Sequence, residues 1–377
     1  MFRAKKSLIT IALTSLATCA NANDLQVNGF MNATLGVSSN DEVEVDGYDE
    51  GMSATNNSVV GLQFFKQVND STSATVQLVA RGADSFDTEA SWAYVTLSVD
   101  EDTDIRVGRL RTPFYHYSDF LEVGYAYNWV TPSSIIYLQS ELSSLNGADI
   151  TRRFTAGAVD GFVQAYAGRY VGNFSAGSDE YKTDISSSGI VVSGNTGDFT
   201  GRISFHKAAF SLDLDPTGTR ALDQYLAGAI GAESFNLIPG LSSSDFEIDQ
   251  SDTSYFQASI AYDNGTTSFI TEYTNLEHET ASFNDNFAYM VGGAQRFGET
   301  TVHLTYIAKA DDIDSGVNGT LQENAETKEN SIILGARYDY DAGAAFKLEA
   351  ERHNEELASG QDGSVGIIYR AGFSLVF

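Results

Sequence analysis

The sequence predicts an all-β protein, an antiparallel transmembrane β-barrel of about 16 strands. Three observations carry this prediction. Val365, Ile367, Tyr369, Ala371, Phe373, Leu375 and the terminal Phe377 alternate with Gly366, Ile368, Arg370, Gly372, Ser374 and Val376, a period of two that ends on an aromatic residue. Leu25, Val27, Gly29, Met31, Ala33, Leu35 and Val37 repeat the grammar near the other end, as closure between first and last strands requires. Short turns alternate with long polar loops in between.

The amino-terminus runs from basic (Arg3, Lys5, Lys6) through apolar (Leu8 to Leu16) to small (Ala20-Asn21-Ala22), the order of a secretory signal peptide cleaved after Ala22. Leu16-Ala17-Thr18-Cys19 resembles a lipoprotein box, but Thr18 fits it poorly and simple cleavage is favoured. Residues 1–22 are therefore read as a removed leader and 23–377 as one barrel domain. Cleavage leaves 19 basic against 51 acidic residues, a net charge of −32, and removes the only Cys. No apolar run after residue 22 is long enough for a transmembrane helix. Barrel strands, being half apolar, escape that test. With 34 Gly, 19 Tyr and 23 Phe against 4 Pro, the composition favours sheet with aromatic belts.

Along the chain, apolar sets with period two follow one another: Val60, Leu62, Phe64; Ala74, Val76, Leu78; Ala93, Val95, Leu97; Ile105, Val107; Ile203, Phe205; Phe256, Ala258, Ile260; Val302, Leu304, Tyr306; Ile332, Leu334, Ala336; and Phe346, Leu348, Ala350. Tight turns are expected near residues 69–70, 100–102, 157–160, 195–198, 263–265, 298–300 and 341–343, rich in Asn, Asp and Gly. Longer segments fall at about 39–57, 82–88, 112–144, 171–186, 207–252, 276–286, 310–330 and 354–363. Seven turns and eight loops give sixteen strands, with both termini on the short, periplasmic side and the long loops extracellular. Residues 146–194 carry the weakest alternation, which leaves fourteen or eighteen strands open. Arg220 to Ile230 has helical spacing and is read either as a short helix or as an irregular lid.

Catalysis finds little support. The five His residues are scattered, none at metal-ligand spacing, and there is no nucleophile elbow or phosphate-binding Gly loop. No enzyme activity, cofactor, metal or nucleic-acid partner is expected. Glu42, Glu44 and Asp46 before Gly47 begin like a calcium loop, but Ser53 stands where a closing Glu belongs. A solvated acidic rim, bridged by divalent cations to lipopolysaccharide, is the preferred reading.

Most basic residues fall in strands, while acids crowd the loops. A strand Arg facing lipid at mid-depth costs roughly 2–4 kcal/mol, so Arg81, Arg106, Arg202, Arg337, Lys347 and Arg370 are placed facing the lumen. Arg111 is read as pore wall or, like Arg169 and Arg352, as snorkelling at a strand end.

Ala93-Tyr94-Val95-Thr96-Leu97 and Gly108-Arg109-Leu110-Arg111-Thr112-Pro113 resemble the general, sixteen-stranded trimeric porins of Gram-negative bacteria, as do Tyr289 to Gly298 and Leu334 to Tyr340 with Ala345 to Glu349. The resemblance implies an outer-membrane location, a homotrimer, and a constriction loop after the fifth strand. It implies that Arg109 sits on the pore wall with Asp119 and Glu122 opposite, and that Phe377 is recognised during barrel assembly. Simple alternation instead turns Arg109 toward lipid and makes Arg106 the lumen residue. A bulge near Gly108 would reconcile the two. The third loop departs from the family in its rings, Tyr115, Tyr117, Phe120, Tyr125, Tyr127, Trp129 and Tyr137, which either stack on sugars or pack the loop against the wall, packing being preferred.

The functional expectation is passive diffusion of small hydrophilic solutes and ions through a water-filled channel. The alternatives are a substrate-specific channel for sugars or organic anions, and a soluble or lipid-anchored β-rich binding protein. Acidic loops and basic wall have opposing signs, so charge selectivity does not follow.

Overall fold

The computed structural model describes residues 25–40, 45–137, 143–176, 179–213, 248–280, 283–315, 319, 322–323, 326–358 and 363–377. The leader and its lipoprotein-like box, Glu42 and Glu44, and the helix candidate at 220–230 lie outside them.

Sixteen strands form: β1 (Gln26–Ser38), β2 (Val59–Asn69), β3 (Thr72–Arg81), β4 (Thr88–Ser98), β5 (Thr103–Arg111), β6 (Ser144–Ala156), β7 (Val159–Ala176), β8 (Asp179–Thr196), β9 (Phe199–Asp213), β10 (Ser251–Asp263), β11 (Thr267–His278), β12 (Asp285–Phe297), β13 (Thr300–Asp312), β14 (Thr327–Asp341), β15 (Ala344–Leu357) and β16 (Ser364–Val376). Each pairs antiparallel with its neighbours in sequence, and β1 pairs with β16 from Phe30↔Val376 to Ser38↔Ile368, closing a barrel without free edges. All seven expected tight turns are present, and Gly157, Gly197 and Gly298 take left-handed φ of 66°, 61° and 63° at three of them.

Alternation has the expected consequence. On β14 to β16, Ile332, Leu334, Phe346, Leu348, Val365 and Tyr369 are exposed outward, where lipid covers them, while Ser331, Lys347, Glu349, Glu351, Arg370 and Ser374 between them are buried inward. An apolar belt around a closed, polar-lined barrel removes the soluble binding-protein reading.

One expectation is corrected. Residues 171–186 are not a long loop: β7 and β8, 18 residues each, run through that region with paired backbone from Asp160↔Asn195 to Ala176↔Asp179. At about 3.3 Å per residue such strands span roughly 60 Å, far beyond an apolar band of about 25 Å. Ser186-Ser187-Ser188-Gly189 accordingly lack greasy alternation without ceasing to be strand. The count remains sixteen.

Candidate channel interior

The loop after β5, hereafter loop 3, leaves the wall at Pro113, which cannot donate to a sheet ladder. Its neck is closed by the Thr112 amide donating to Ser143 O at 2.9 Å. From there it enters the barrel and lies along the inner face of β9 to β16, fastened at each step by an inward side chain. Arg202 on β9 donates to Pro113 O. Glu272 on β11 accepts from the His116 amide at 2.8 Å and from the Tyr137 hydroxyl. Trp129 Nε1 donates to Thr305 Oγ1 on β13 at 3.0 Å. Arg337 on β14 donates to Tyr125 O at 2.8 Å and to Tyr127 O at 3.0 Å, with its guanidinium 4.5 Å from the Tyr125 ring. Lys347 on β15 donates to Gly124 O, to Tyr127 O at 2.8 Å and to Trp129 O at 2.6 Å, which uses all three ammonium donors. Val130 is held from both sides, its N–H donating to Glu349 Oε1 at 2.8 Å and its carbonyl accepting from Asn32 Nδ2 of β1 at 3.0 Å.

Beneath these bonds is the largest apolar cluster among the described residues. Tyr115, Leu121, Tyr127, Trp129, Ile135, Ile136 and Tyr137 of loop 3 bury against Ala261, Ile270, Ala288, Met290, Ile307 and Ile333 of the wall. At about 25 cal/mol per Å² of apolar surface, this burial and the buried charged hydrogen bonds hold the loop inside rather than extended in solvent. The rings meet edge to face, Tyr117 lying 5.4 Å from Phe120 and 5.6 Å from Trp129. Tyr115, Tyr127, Trp129 and Tyr137 are thus packed between loop and wall.

The basic residues have inward parity, but their placement corrects the picture of a basic wall open to water. Arg202, Lys347 and Arg370 are buried. Arg370 is enclosed by Glu351 and by Asp46 of the first loop, the latter at 2.8 Å, with Tyr48 beside it. Arg106 pairs with Asp149 at 2.7 Å and stands 5.2 Å from the Tyr94 ring. Glu122 does not face Arg109. It is buried between Arg81 and Arg111, the second at 3.3 Å. Burial works to raise its carboxyl, but the Arg111 and Arg81 guanidiniums outweigh that and hold it below the ordinary carboxylate range. Arg111 therefore neither snorkels nor faces open water.

No bulge occurs at Gly108. Ala93 to Ser98 pair with Arg109 to Asp104 in unbroken register. Gly108 instead takes φ 141°, and a Cβ there would overlap the Ala93 carbonyl. Beyond it Arg109 reaches Glu89 at 3.9 Å, the carboxylate that Arg81 also holds. Asp119 stays exposed on the loop.

Glu272, Glu349, Thr305 and Asn32 complete the site, and the sequence reading passed over them. Glu272 and Glu349 carried a signal, because an acid on a strand falls under the same lipid penalty as an Arg and must turn inward. Thr305 and Asn32, polar residues at inward positions, carried none that set them apart.

Between the exposed face of loop 3 and the opposite wall is a cavity of about 1470 Å³. Its neutral side is built from Asn28, Gln63, Thr75, Gln77, Trp92, Tyr94 and Thr96 of β1 to β4, and loop 3 contributes Tyr117, Asp119, Phe120 and Tyr125. The family model for the Gram-negative porins matches residues 9–357. This chain belongs to the Gram-negative porin family. The porin has structural neighbours of the same barrel type: an OmpT loop-deletion mutant of Vibrio cholerae (16% identity, 95% of this chain, 100% of that one, TM-score 0.59), the channel DcaP of Acinetobacter baumannii (11%, 95% and 99%, 0.63) and the anion-selective porin of Comamonas acidovorans (13%, 94% and 100%, 0.59). No protein of curated function matches the sequence. The porin is an integral outer-membrane β-barrel and a channel for passive diffusion of solutes.

Proposed function

We propose that this porin is a general-diffusion channel that prefers small hydrophilic cations, narrowed by loop 3 and assembled as a homotrimer after removal of residues 1–22. The charge inventory of the cavity carries the preference. Asp104, Asp119, Asp263, Glu299, Asp339 and Asp341 line it, against Arg296 and Arg337. Asp339 lies 2.7 Å from each of those arginines and Glu299 3.9 Å from Arg296, so two carboxylates match the two bases. The remaining basic side chains expected on the wall are covered by loops or paired with Glu89, Glu122 and Asp149, and they offer a passing anion little. Asp104 is paired with Arg153 at 2.8 Å, which leaves Asp119, Asp263 and Asp341 without an ion pair among the described residues. Such acids along a water-filled path attract cations and raise their local concentration.

In this reading Arg81, Arg106, Arg109 and Arg111 set the shape of the constriction and Asp119 sets its sign. Sugar stacking loses support because the loop rings are engaged edge-on with one another. No catalytic step is assigned. The homotrimer draws on a Vibrio cholerae OmpT structure described as a trimer form. Acidic outer loops would meet lipopolysaccharide through divalent cations.

Reversal potential in planar bilayers under a KCl gradient tests the proposal. A potential of cation sign that grows as salt is lowered is expected, whereas one of anion sign defeats the preference. Folded protein without ohmic conductance would defeat the channel itself.

A further inference from the structure

The cavity on the solute path carries a second kind of chemistry besides charge. Phe65, Trp92 and Tyr94 of the wall and Tyr117, Phe120 and Tyr125 of loop 3 line it. Register brings the wall rings together. Phe65 and Tyr94 both pair with Thr75, which places them two strands and roughly 10 Å apart, and Trp92 follows Tyr94 on the same face at roughly 7 Å. Two rings of the cavity already carry a protein cation, Arg106 standing 5.2 Å from Tyr94 and Arg337 4.5 Å from Tyr125. Phe65, Trp92 and Phe120 are half-buried, and among the described residues no cation stands over them. Asp119, next to Phe120 in the chain, is exposed and has no ion pair among the described residues.

We infer that the cavity selects, among cations, quaternary ammonium ions of choline's size, held between the open rings and Asp119. The inference rests on the cation preference proposed above and names the solutes which that preference favours. A quaternary ammonium carries its charge without an N–H, so it asks a site for negative charge and ring faces and for no hydrogen-bond acceptor. The wall meets that demand. The polar side chains between its rings offer a guest little: Asn28, Thr75 and Gln77 are 9%, 6% and 2% exposed, and Gln77 Nε2 donates to Gln63 Oε1 at 3.4 Å. Trp92 Nε1 is buried as well, so a guest meets the indole ring and not its N–H. Such a wall suits a sugar poorly, because hydroxyls that leave water there find few partners. An anion meets Asp119, Asp263 and Asp341, while Arg296 and Arg337 are already matched by carboxylates. A cavity of about 1470 Å³ holds an ion of this size together with water, so passage is slowed and not stopped.

Potassium current through single channels of the intact porin in planar bilayers, with choline or its uncharged carbon isostere 3,3-dimethyl-1-butanol added, tests the inference. Choline is expected to reduce the current saturably, and at about tenfold lower concentration than the isostere. Trp92→Leu and Phe120→Leu keep an apolar side chain but remove the ring. Each should raise the half-blocking choline concentration about two- to fivefold and leave that of the isostere where it was. Folding of each variant is read from its migration before and after boiling, and the comparison of choline with its isostere in wild type needs no variant. Equal block by the two solutes overturns the inference, as does a choline block that neither folded leucine variant changes. A channel whose KCl reversal potential has cation sign but whose current is indifferent to choline defeats this inference alone. A potential of anion sign defeats the preference on which it rests.

Discussion

Lys347 Nζ lies 2.6 Å from Trp129 O, and that contact joins a barrel strand to a loop residue 218 positions earlier. The ammonium is 1% exposed and finds no carboxylate; three loop carbonyls take its place. Its ring neighbour is Tyr127, with the centroid 4.7 Å away. Hydrogen bonds to a charged group contribute roughly 1.5–3 kcal/mol each, so the three from Lys347 fasten loop 3 firmly. Lys347→Met should leave the barrel heat-modifiable but orphan the Gly124 and Trp129 carbonyls, Tyr127 O keeping its bond from Arg337, and loosen the loop by at least about 2 kcal/mol. Single-channel records should then show added open-state noise and sublevels. A quiet channel of wild-type conductance would show that the apolar cluster alone seats the loop.

Asp119→Asn removes the exposed carboxylate on the loop face of the cavity. The reversal potential should move toward zero, and more so at 0.01 M salt, where the screening length is about 30 Å, than at 1 M, where it is about 3 Å. Equal shifts at both concentrations would point to altered loop structure instead of a lost charge.

Arg106→Ser acts in the opposite sense. It frees Asp149, now held at 2.7 Å, and adds a bare carboxylate to the inner wall. Cation preference should rise, read again as reversal potential. No change would mean that Arg106 and Asp149 lie off the ion path.

Acid should release loop 3. Burial first, and then the Arg202 charge, depresses His116 to about 4, so its contribution is complete above the unfolded value near 6.5 and is lost as pH falls from 6.5 toward 4, on the order of 3 kcal/mol in all. Glu122 is held low by Arg111 and Arg81 against its burial. What it contributes is present above about pH 4.5 and is lost as pH falls further, through its folded value. In a Trp92→Phe background, Trp129 is the remaining tryptophan, and its emission should shift to the red below about pH 5. Emission constant down to pH 3 would separate loop seating from both groups.

Barrel closure depends on Gly29 and Phe377, which exchange backbone hydrogen bonds of 2.7 and 2.9 Å while the Phe377 ring covers the glycine. A Cβ at position 29 would overlap that ring. Gly29→Val should lower the yield of heat-modifiable protein, and deletion of Phe377 should impair insertion more than conductance. Normal assembly without Phe377 would remove its role as an assembly signal.

Period-two alternation, tight-turn chemistry and the matching first and last strands were enough to point to sixteen strands, with fourteen or eighteen still open, and to determine the inward parity of Arg81, Arg106, Arg202, Arg337, Lys347 and Arg370; the closed ring fixes the count at sixteen. These are local properties: a residue's side of the sheet follows from counting, and lipid enforces it. Where alternation faded, at 171–186, strand was mistaken for loop, because outside the membrane a strand needs only its backbone partners. Tertiary structure alone decided what covers the inward side chains. Parity turns Lys347, Glu272 and Glu349 toward the lumen but does not reveal that loop 3 lies over them, or that Glu122 joins Arg81 and Arg111 and leaves Arg109 to Glu89. Those contacts join residues from 11 to more than 200 positions apart, and their energy depends on which charges lose water together.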